Sequence, residues 1–256
     1  MGKPVFGQCA LCLQQKQLRK SHYLGRALHL LSQEDGEAVL ITPELIQLSA
    51  RQLWAHLLCA ACEDLLSANE SYALEWINRK DRFRLLERMN VAVPVSRTLS
   101  GVEFSGANIG VSTGRLAYFA LSIFWRASAH RWRTLNAQTT FIDLGALAEP
   151  IRLYLTGGGP FPTGIALLMT VCTDRASQGL VFAPNPTKGG LYPCFSMLTR
   201  GIKFTLVIGD NLPEEIREAC CVGSTRKVLF MRNCESESLR AFGRIYQMAE
   251  ADVRLP

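Results

Sequence analysis

Hydrophobic residues recur at helical spacing most clearly near the middle of the chain, in the stretch GRLAYFALSIFWRASAHRWR. Leu116, Phe119 and Ile123 form an apolar stripe there, because positions three or four apart share one face of an α-helix. Arg126 and His130 continue the same stripe. An arginine on a core-facing stripe needs a carboxylate, backbone carbonyls or a phosphate as its partner. The pattern therefore predicts a buried helix that carries a charged residue into the interior.

Beyond this helix the periodicity changes to short apolar runs. GIALLMTVCT, GLVFAP, CFSMLTRGIKFTLVIG and RKVLFMRN are separated by Gly, Pro and Asn residues, which is typical of strands. A short helix in FIDLGALAEPIRLYL precedes them, and a final helix in ESLRAFGRIYQMAEA follows. Residues 59–89 have the pattern of one or two further helices. The order of elements predicts an α+β fold with an antiparallel sheet in its second half.

A segment rich in Pro, Ser and Gly, MNVAVPVSRTLSGVEFSG, separates two regions of different composition. Residues 1–90 contain four of the nine cysteines, whereas residues 91–256 contain the predicted sheet. We therefore predict a small N-terminal module with its following helix and a larger α+β domain, divided at this segment.

Composition and charge indicate a globular protein and argue against a membrane-spanning or exported one. Hydrophobic residues make up 48% of the chain and charged residues 20%, which is typical of a globular protein. The longest apolar run, LAYFALSIFW, is half the roughly 20 residues that a membrane span needs, so we expect no membrane partner. The N-terminus lacks the pattern of an export signal, and we expect a cytoplasmic location. The net charge of +6 is compatible with nucleic-acid binding without requiring it.

Two C-x-x-C pairs, Cys9 with Cys12 and Cys59 with Cys62, carry the strongest chemical signal. In a reducing compartment such pairs more often bind metal than form disulfides. Four thiolates complete a tetrahedral Zn²⁺ site with no open position for water. The spacing therefore predicts a structural zinc ion that stabilises a small module. The other five cysteines lack ligand spacing, and we expect them to be small buried hydrophobic residues. These five are Cys172, Cys194, Cys220, Cys221 and Cys234.

The motifs around the two pairs resemble those of the zinc-containing HNH endonucleases. CALCLQQKQLRKSHYLG places Ser-His after a basic run, and LLCAACEDLLSANE begins a helix at the second pair. With YFALSIFWRAS and EPIRLYL, these stretches are similar to a widespread group of bacterial HNH-endonuclease-like proteins. The resemblance covers residues 9–70 well and 114–155 less closely. It implies a treble-clef or ββα-metal zinc module ahead of the helices and the sheet domain.

The resemblance also implies roles for individual residues. His22 matches the general base that activates water, Ser21 stands where a metal-binding aspartate is usual, and Glu63 stands where a helix histidine is usual. Glu70 lies two helical turns beyond Glu63 and would help to bind a catalytic Mg²⁺ or Mn²⁺ or help to order the module. The expected nucleic-acid contacts are Lys16, Arg19, Lys20 and Arg126. Structural explanations stand beside these roles, since His22 could cap backbone groups and Glu63 could be a first-turn acid favoured by the helix dipole.

Three functions follow as alternatives. The first is a metal-dependent nuclease that cleaves phosphodiesters, with a role in bacterial anti-phage defence by analogy of fold alone. The second is a non-catalytic zinc module that binds nucleic acid, a protein partner or a second copy of itself. Two departures from the HNH pattern favour this alternative. Serine at position 21 is a poor substitute for a metal-binding carboxylate, and no asparagine precedes Asn69 to orient His22. The third is an enzyme site around Arg126, His130 and Arg152, which lacks a recognised catalytic spacing.

Overall fold

A computed structural model describes residues 3–33, 39–41, 46–48, 53–79, 82–99, 101–133, 139–187, 190–224, 226–240 and 243. The strands are β1 (Val5–Gln8), β2 (Gln15–His22), β3 (Val39–Ile41), β4 (Ile46–Leu48), β5 (Trp54–Cys59), β6 (Ser96–Thr98), β7 (Gly101–Ser105), β8 (Trp132–Arg133), β9 (Thr139–Thr140), β10 (Ile165–Cys172), β11 (Val181–Thr187), β12 (Cys194–Thr199), β13 (Ile202–Ile208) and β14 (Val228–Arg232). The helices are α1 (Arg26–Gln33), α2 (Ala60–Leu74), α3 (Arg84–Val91), α4 (Gly106–Ile109), α5 (Thr113–Ala129), α6 (Ala148–Leu155), α7 (Arg175–Gly179) and α8 (Glu214–Glu218), with a 3-10 turn at Gly145–Leu147. Residues 235–240 are also helical, and the rest of the predicted final helix lies largely outside the described residues.

The N-terminal part of the chain forms a three-stranded antiparallel sheet in the order β1-β2-β5. β1 and β2 form a hairpin, and β2 pairs with β5 across an irregularity between Arg19 and Lys20. Both C-x-x-C pairs lie at one end of this sheet, since the hairpin turn carries the first pair and α2 begins directly after Cys59. Local folding of two sequence-distant segments therefore brings the cysteines together.

The second sheet has the strand order β4-β3-β11-β12-β13-β10-β14-β7-β6. Most of its pairings are antiparallel, but β10 pairs with β14 and β11 with β3 in parallel. The sheet is thus mixed, because β14 and β3 reach it through long crossovers and not through hairpins. The strands predicted from the four apolar runs are confirmed as β10 to β14. Because β3 and β4 come from the first 90 residues, both predicted regions contribute to this sheet, and their division stays a prediction.

Helix α5 lies between the N-terminal module and the large sheet. It packs on α2, α6 and β11, and Phe119 contacts the ring of Phe204 in β13 at a centroid distance of 6.1 Å. Every residue from Leu116 to Ala127 is buried except the half-buried Tyr118. The prediction of a buried helix is confirmed, but burial extends around the whole helix because it is covered on several sides. The helix ends at Ala129, so the expectation that His130 faces the core is wrong, and this residue is exposed. None of the described helices is long and apolar enough to cross a membrane.

Arg200 connects the large sheet to the N-terminal half of the chain. It lies in the turn between β12 and β13, is 1% exposed and has a φ of 45°. Its Nε donates to the carbonyl of Asn78 at 2.8 Å, and its Nη1 donates to the carbonyl of Leu31 at 2.9 Å. A positive φ is unfavourable for a residue with a side chain, so the buried hydrogen bonds offset local backbone strain.

We expect Arg200→Ala to destabilise the protein, because two buried carbonyl groups lose their donor. The free energy of unfolding should fall by about 3 kcal/mol in urea-unfolding experiments. Arg97→Ala, at an exposed position on β6, is the matched control and should change stability by less than about 0.5 kcal/mol. Equal stabilities of the two variants would contradict this role of Arg200.

Candidate functional site

The four predicted ligand cysteines lie together. The Sγ atoms of Cys9, Cys12, Cys59 and Cys62 are all within 4.8 Å of one another. The Sγ atoms of Cys12 and Cys59 are 3.9 Å apart, and the backbone N–H of Cys59 donates to Cys9 Sγ at 3.3 Å. The two pairs thus form one group that could hold a metal ion.

Backbone hydrogen bonds shape the turn that presents the first pair. Leu13 N–H donates to the carbonyl of Cys9 at 2.8 Å, and Cys9 N–H donates to the carbonyl of Gln14 at 2.9 Å. Leu13 has a φ of 61°, which the tight turn between β1 and β2 requires. On the other side, Cys59 is the N-cap of α2 and Cys62 lies in its first turn. A hairpin turn and a helix start therefore face each other.

The thiols influence one another's protonation. Burial acts to raise the pKa of Cys9, but hydrogen bonds from the backbone at Cys12, Cys59 and Leu11 outweigh it and place this pKa at about 7. Burial, together with the neighbouring thiols, raises the pKa of Cys62. Four thiolates this close repel one another unless a cation neutralises them. The donor set therefore fits a bound divalent metal ion, with deprotonation coupled to binding.

A cavity of about 430 Å³ lies between β2, α1, α2 and α5. Its lining includes His22, Glu63, Glu70 and Arg126, which are separated by as many as 104 positions along the chain. The three predicted catalytic residues and one of the predicted nucleic-acid contacts thus line one cavity. Among the described residues, the possible ligand atoms of His22, Glu63 and Glu70 do not form a group within 4.8 Å as the four cysteines do. The roles that the sequence suggests for them stay predictions.

Ser21 fixes the position of Glu63. The fully buried Ser21 hydroxyl donates to Glu63 Oε1 and accepts a hydrogen bond from Leu58 N–H at 3.0 Å. The serine at the expected aspartate position is therefore engaged in joining β5 to α2, and it orients a carboxylate that lines the cavity.

Glu70 lies close to the backbone at the start of α1. Burial is the largest influence on this carboxyl and raises its pKa, with a further increase from Glu63, whereas Arg126 and the backbone N–H of Ala27 act in the opposite direction. A Cβ added at Gly25 would overlap the Glu70 carboxylate. Gly25 therefore leaves the space that Glu70 occupies. Nothing in the sequence singles out Gly25, because a glycine just before a helix is common.

Arg126 is 3% exposed and has fewer partners than a buried arginine needs. Its Nη1 donates to the carbonyl of His22 at 3.4 Å, and its own carbonyl accepts from Trp132 Nε1 at 2.9 Å. Its Nε has no hydrogen-bond partner among the described residues, and no carboxylate in those residues lies within 4.0 Å of the guanidinium. A buried cation with an unused donor at a cavity is a site suited to an anion.

The other predicted nucleic-acid contacts lie outside the cavity. Lys16, Arg19 and Lys20 are exposed on β2, the strand that ends at His22. The residues of the third alternative have separate partners. Arg152 donates to Glu149 and to the carbonyl of Leu11, whereas His130 packs against Trp132 with ring centroids 5.2 Å apart.

A second group of donors lies at the ends of the parallel strands β10 and β14. Donor atoms of Cys172, Asp174 and Cys234 are within 4.8 Å of one another, which the sequence spacing does not indicate. Both Asp174 oxygens accept backbone hydrogen bonds, from Ser177 N–H at 2.7 Å and from Cys234 N–H at 2.8 Å. The hydrogen bond with Cys234 is the largest influence that raises the pKa of Cys172. The hydrogen bonds within this buried group thus account for its arrangement without a metal ion.

A scan against protein-family models and searches among curated proteins and solved structures found nothing that matches this chain. The resemblance to HNH endonucleases therefore rests on the sequence motifs quoted above.

We expect the purified protein to contain one divalent metal ion per chain, measured by elemental analysis. Cys62→Ser should lose this ion, and its unfolding temperature should fall by about 5 °C or more, because the free energy of metal binding no longer stabilises the folded state. Cys194→Ser, outside the cluster, should keep the ion. A metal-free wild-type protein, or equal metal content in both variants, would show that the four cysteines are not ligands.

Proposed function

We propose that the protein is a metal-dependent nuclease that hydrolyses nucleic-acid phosphodiesters, with its active site in the cavity between β2, α1, α2 and α5. The observation that carries the proposal is the placement of His22, Glu63, Glu70 and Arg126 around one cavity. A histidine, two carboxylates and a buried cation are the groups that water activation, metal binding and phosphate binding require.

In this proposal the four cysteines hold Zn²⁺ in an HNH-like, treble-clef module. A hairpin turn, a strand and a helix start supply the ligands, and a Cys₄ set leaves no position for a reacting water. The cysteines keep β2 and α2 at a fixed separation, so that His22 and Glu63 line the same cavity. Their role is to stabilise the geometry of the site.

His22 acts as the general base. It lies at the end of β2 and lines the cavity, where an imidazole can take the proton of a water molecule near neutral pH. Glu63 and Glu70 supply the oxygen ligands that Mg²⁺ or Mn²⁺ prefers. A divalent ion bound there would stabilise the negative charge that develops on the phosphate and on the leaving oxygen.

Arg126 binds the phosphate of the substrate. Its Nε is unpaired among the described residues and its Nη1 makes only a long bond of 3.4 Å to a carbonyl. A guanidinium donates two parallel hydrogen bonds to a phosphate, so the Arg126 side chain at the cavity supplies the kind of cation that holds a phosphodiester.

The second candidate is a zinc module that binds nucleic acid or a protein partner without cleaving it. The hydrogen bond from Ser21 to Glu63 favours this candidate, because it gives Glu63 a structural role and leaves a hydroxyl where a metal-binding carboxylate is expected. The same cavity would then hold a phosphate group with no hydrolysis.

The test is cleavage of plasmid DNA and single-stranded RNA with Mg²⁺ or Mn²⁺. We expect the wild type to cleave at least one of them and His22→Ala to be slower by about 10²–10⁴-fold, the usual contribution of a general base. His130→Ala, at an exposed position beyond the cavity, should cleave at the wild-type rate. Wild type that carries its full metal content but cleaves neither substrate would support the second candidate.

Gly25→Ala offers an independent test of Glu70. The added Cβ overlaps the end of a flexible side chain, so the fold can adjust if Glu70 rotates away from its place. We expect thermal stability to change little, whereas cleavage should fall by about tenfold or more and require a higher Mg²⁺ concentration. Gly114→Ala, with open space around its Cβ position on α5, should leave cleavage unchanged. Normal Mg²⁺ dependence in Gly25→Ala would exclude Glu70 as a ligand.

A further inference from the structure

The sheet formed by β1, β2 and β5 carries exposed aromatic and basic side chains beside the cavity. Phe6 is 73% exposed and Trp54 is 48% exposed. Lys16, Arg19 and Lys20 are exposed on β2, and none of the three strands contains an acidic residue. Lys16 and Lys20 share a face with Trp54 and His22, whereas Phe6 and Arg19 point to the opposite face. The face beside the cavity is therefore positively charged and carries the exposed indole ring of Trp54.

Trp54 lies directly beside the cavity. It is the register partner of His22, and directly paired residues point to the same face of a sheet with Cβ atoms about 5 Å apart. The Lys20 ammonium lies 4.1 Å from the centroid of the Trp54 ring. The ring centroids of His56 and Trp54 are 5.5 Å apart, with the two rings edge-on. These neighbours support the indole ring while about half of the residue stays exposed.

The exposure of Trp54 is unusual within this protein. The other three of its four tryptophans, Trp76, Trp125 and Trp132, are buried. Surfaces that bind single-stranded nucleic acid stack its bases on aromatic rings that alternate with basic groups. Trp54 has this arrangement, because its ring lies beside the Lys20 ammonium and next to the candidate phosphate site.

We propose that the substrate is single-stranded nucleic acid, and that Trp54 stacks an unpaired base adjacent to the phosphate held in the cavity. This inference rests on the proposed function and specifies its substrate class. A base offers its face to an aromatic side chain only when it is unpaired or displaced from a duplex. Lys16 and Lys20, which share the face of Trp54, then follow the phosphate backbone along β2, while His22 and Arg126 meet the phosphate next to the stacked base.

The charge of the surface favours nucleic acid over a second copy of the chain. A two-fold interface through the face that carries Trp54 would place this lysine-rich surface against itself, with no acidic group in the three strands to compensate. A polyanion meets the same cations with opposite charge and releases its counterions.

The experiment follows tryptophan fluorescence and, for the affinity of every variant, the anisotropy of a dye-labelled 12-nucleotide oligothymidylate or oligouridylate, without divalent metal so that no cleavage occurs. We expect quenching, because Trp54 is the exposed tryptophan, and weaker binding as salt rises. Trp54→Ala should abolish the quenching and weaken binding about tenfold or more, and Trp54→Phe should bind between the two. A blunt hairpin duplex should bind at least about tenfold more weakly than the single strands.

Leu99→Ala is the control, since it removes a fully exposed apolar side chain near the turn between β6 and β7 and should not change the affinity. Equal affinity of wild type and Trp54→Ala would overturn the proposal, as would tighter binding of the duplex. If tryptophan emission changed with protein concentration in the absence of oligonucleotide, the proposal would also be overturned, because this surface would then mediate self-association. Quenching by the oligonucleotide without cleavage in the Mg²⁺ assay would support base stacking by Trp54 and refute the nuclease. Cleavage at the same rate in wild type and Trp54→Ala would refute the stacking role alone.

Discussion

The convergence of the four cysteines, where the turn between β1 and β2 meets the start of α2, is the constraint on which the candidate site depends. The pairs Cys9–Cys12 and Cys59–Cys62 lie far apart in sequence, yet their Sγ atoms converge within 4.8 Å. α2 begins at this cluster, so its direction is determined there, together with the positions of Glu63 and Glu70 along one helix face. Ser21 adds a second connection between the same elements. A metal ion at the cysteines would therefore affect the cavity without taking part in chemistry there.

α5 supplies the other side of the cavity and shows a balance between stability and binding. The helix is buried on almost all sides, and Arg126 is a buried residue that lines the cavity. The Arg126 guanidinium, whose Nε has no partner among the described residues, is unfavourable in the free protein by roughly 1–3 kcal/mol. A bound phosphate would remove this penalty, so part of the destabilisation in the free state becomes binding free energy. Arg200, by contrast, has carbonyl partners for Nε and Nη1 and serves the fold.

The sequence predicted those features that depend on local patterns. C-x-x-C spacing identified the four clustered cysteines, and helical periodicity placed Arg126 on an inward face. Apolar runs bounded by turn residues located β10 to β14. Features that depend on contacts between distant segments were not predictable in the same way. The parallel pairing of β14 with β10 and the addition of β3 to β11 leave no local signal. Gly25 and Trp54 were also not predictable as site residues. Gly25 matters because it lies against Glu70, and Trp54 because it pairs with His22 across two strands.

The hydrogen bond between Ser21 and Glu63 is the feature on which the choice between cleavage and simple binding depends. It engages Oε1 of Glu63 and occupies the serine hydroxyl, so position 21 does not supply the metal ligand that an aspartate would provide there. Mg²⁺, however, is usually held by one or two carboxylates together with substrate phosphates and several waters. In the proposed nuclease, the remaining oxygen of Glu63 and the ionised carboxylate of Glu70 would be the carboxylate ligands. Because burial raises the pKa of Glu70, a metal ion bound there would compete with a proton for this carboxylate. A nuclease built in this way would bind its ion weakly alone and more tightly once a phosphodiester is present, so that substrate and metal binding support each other.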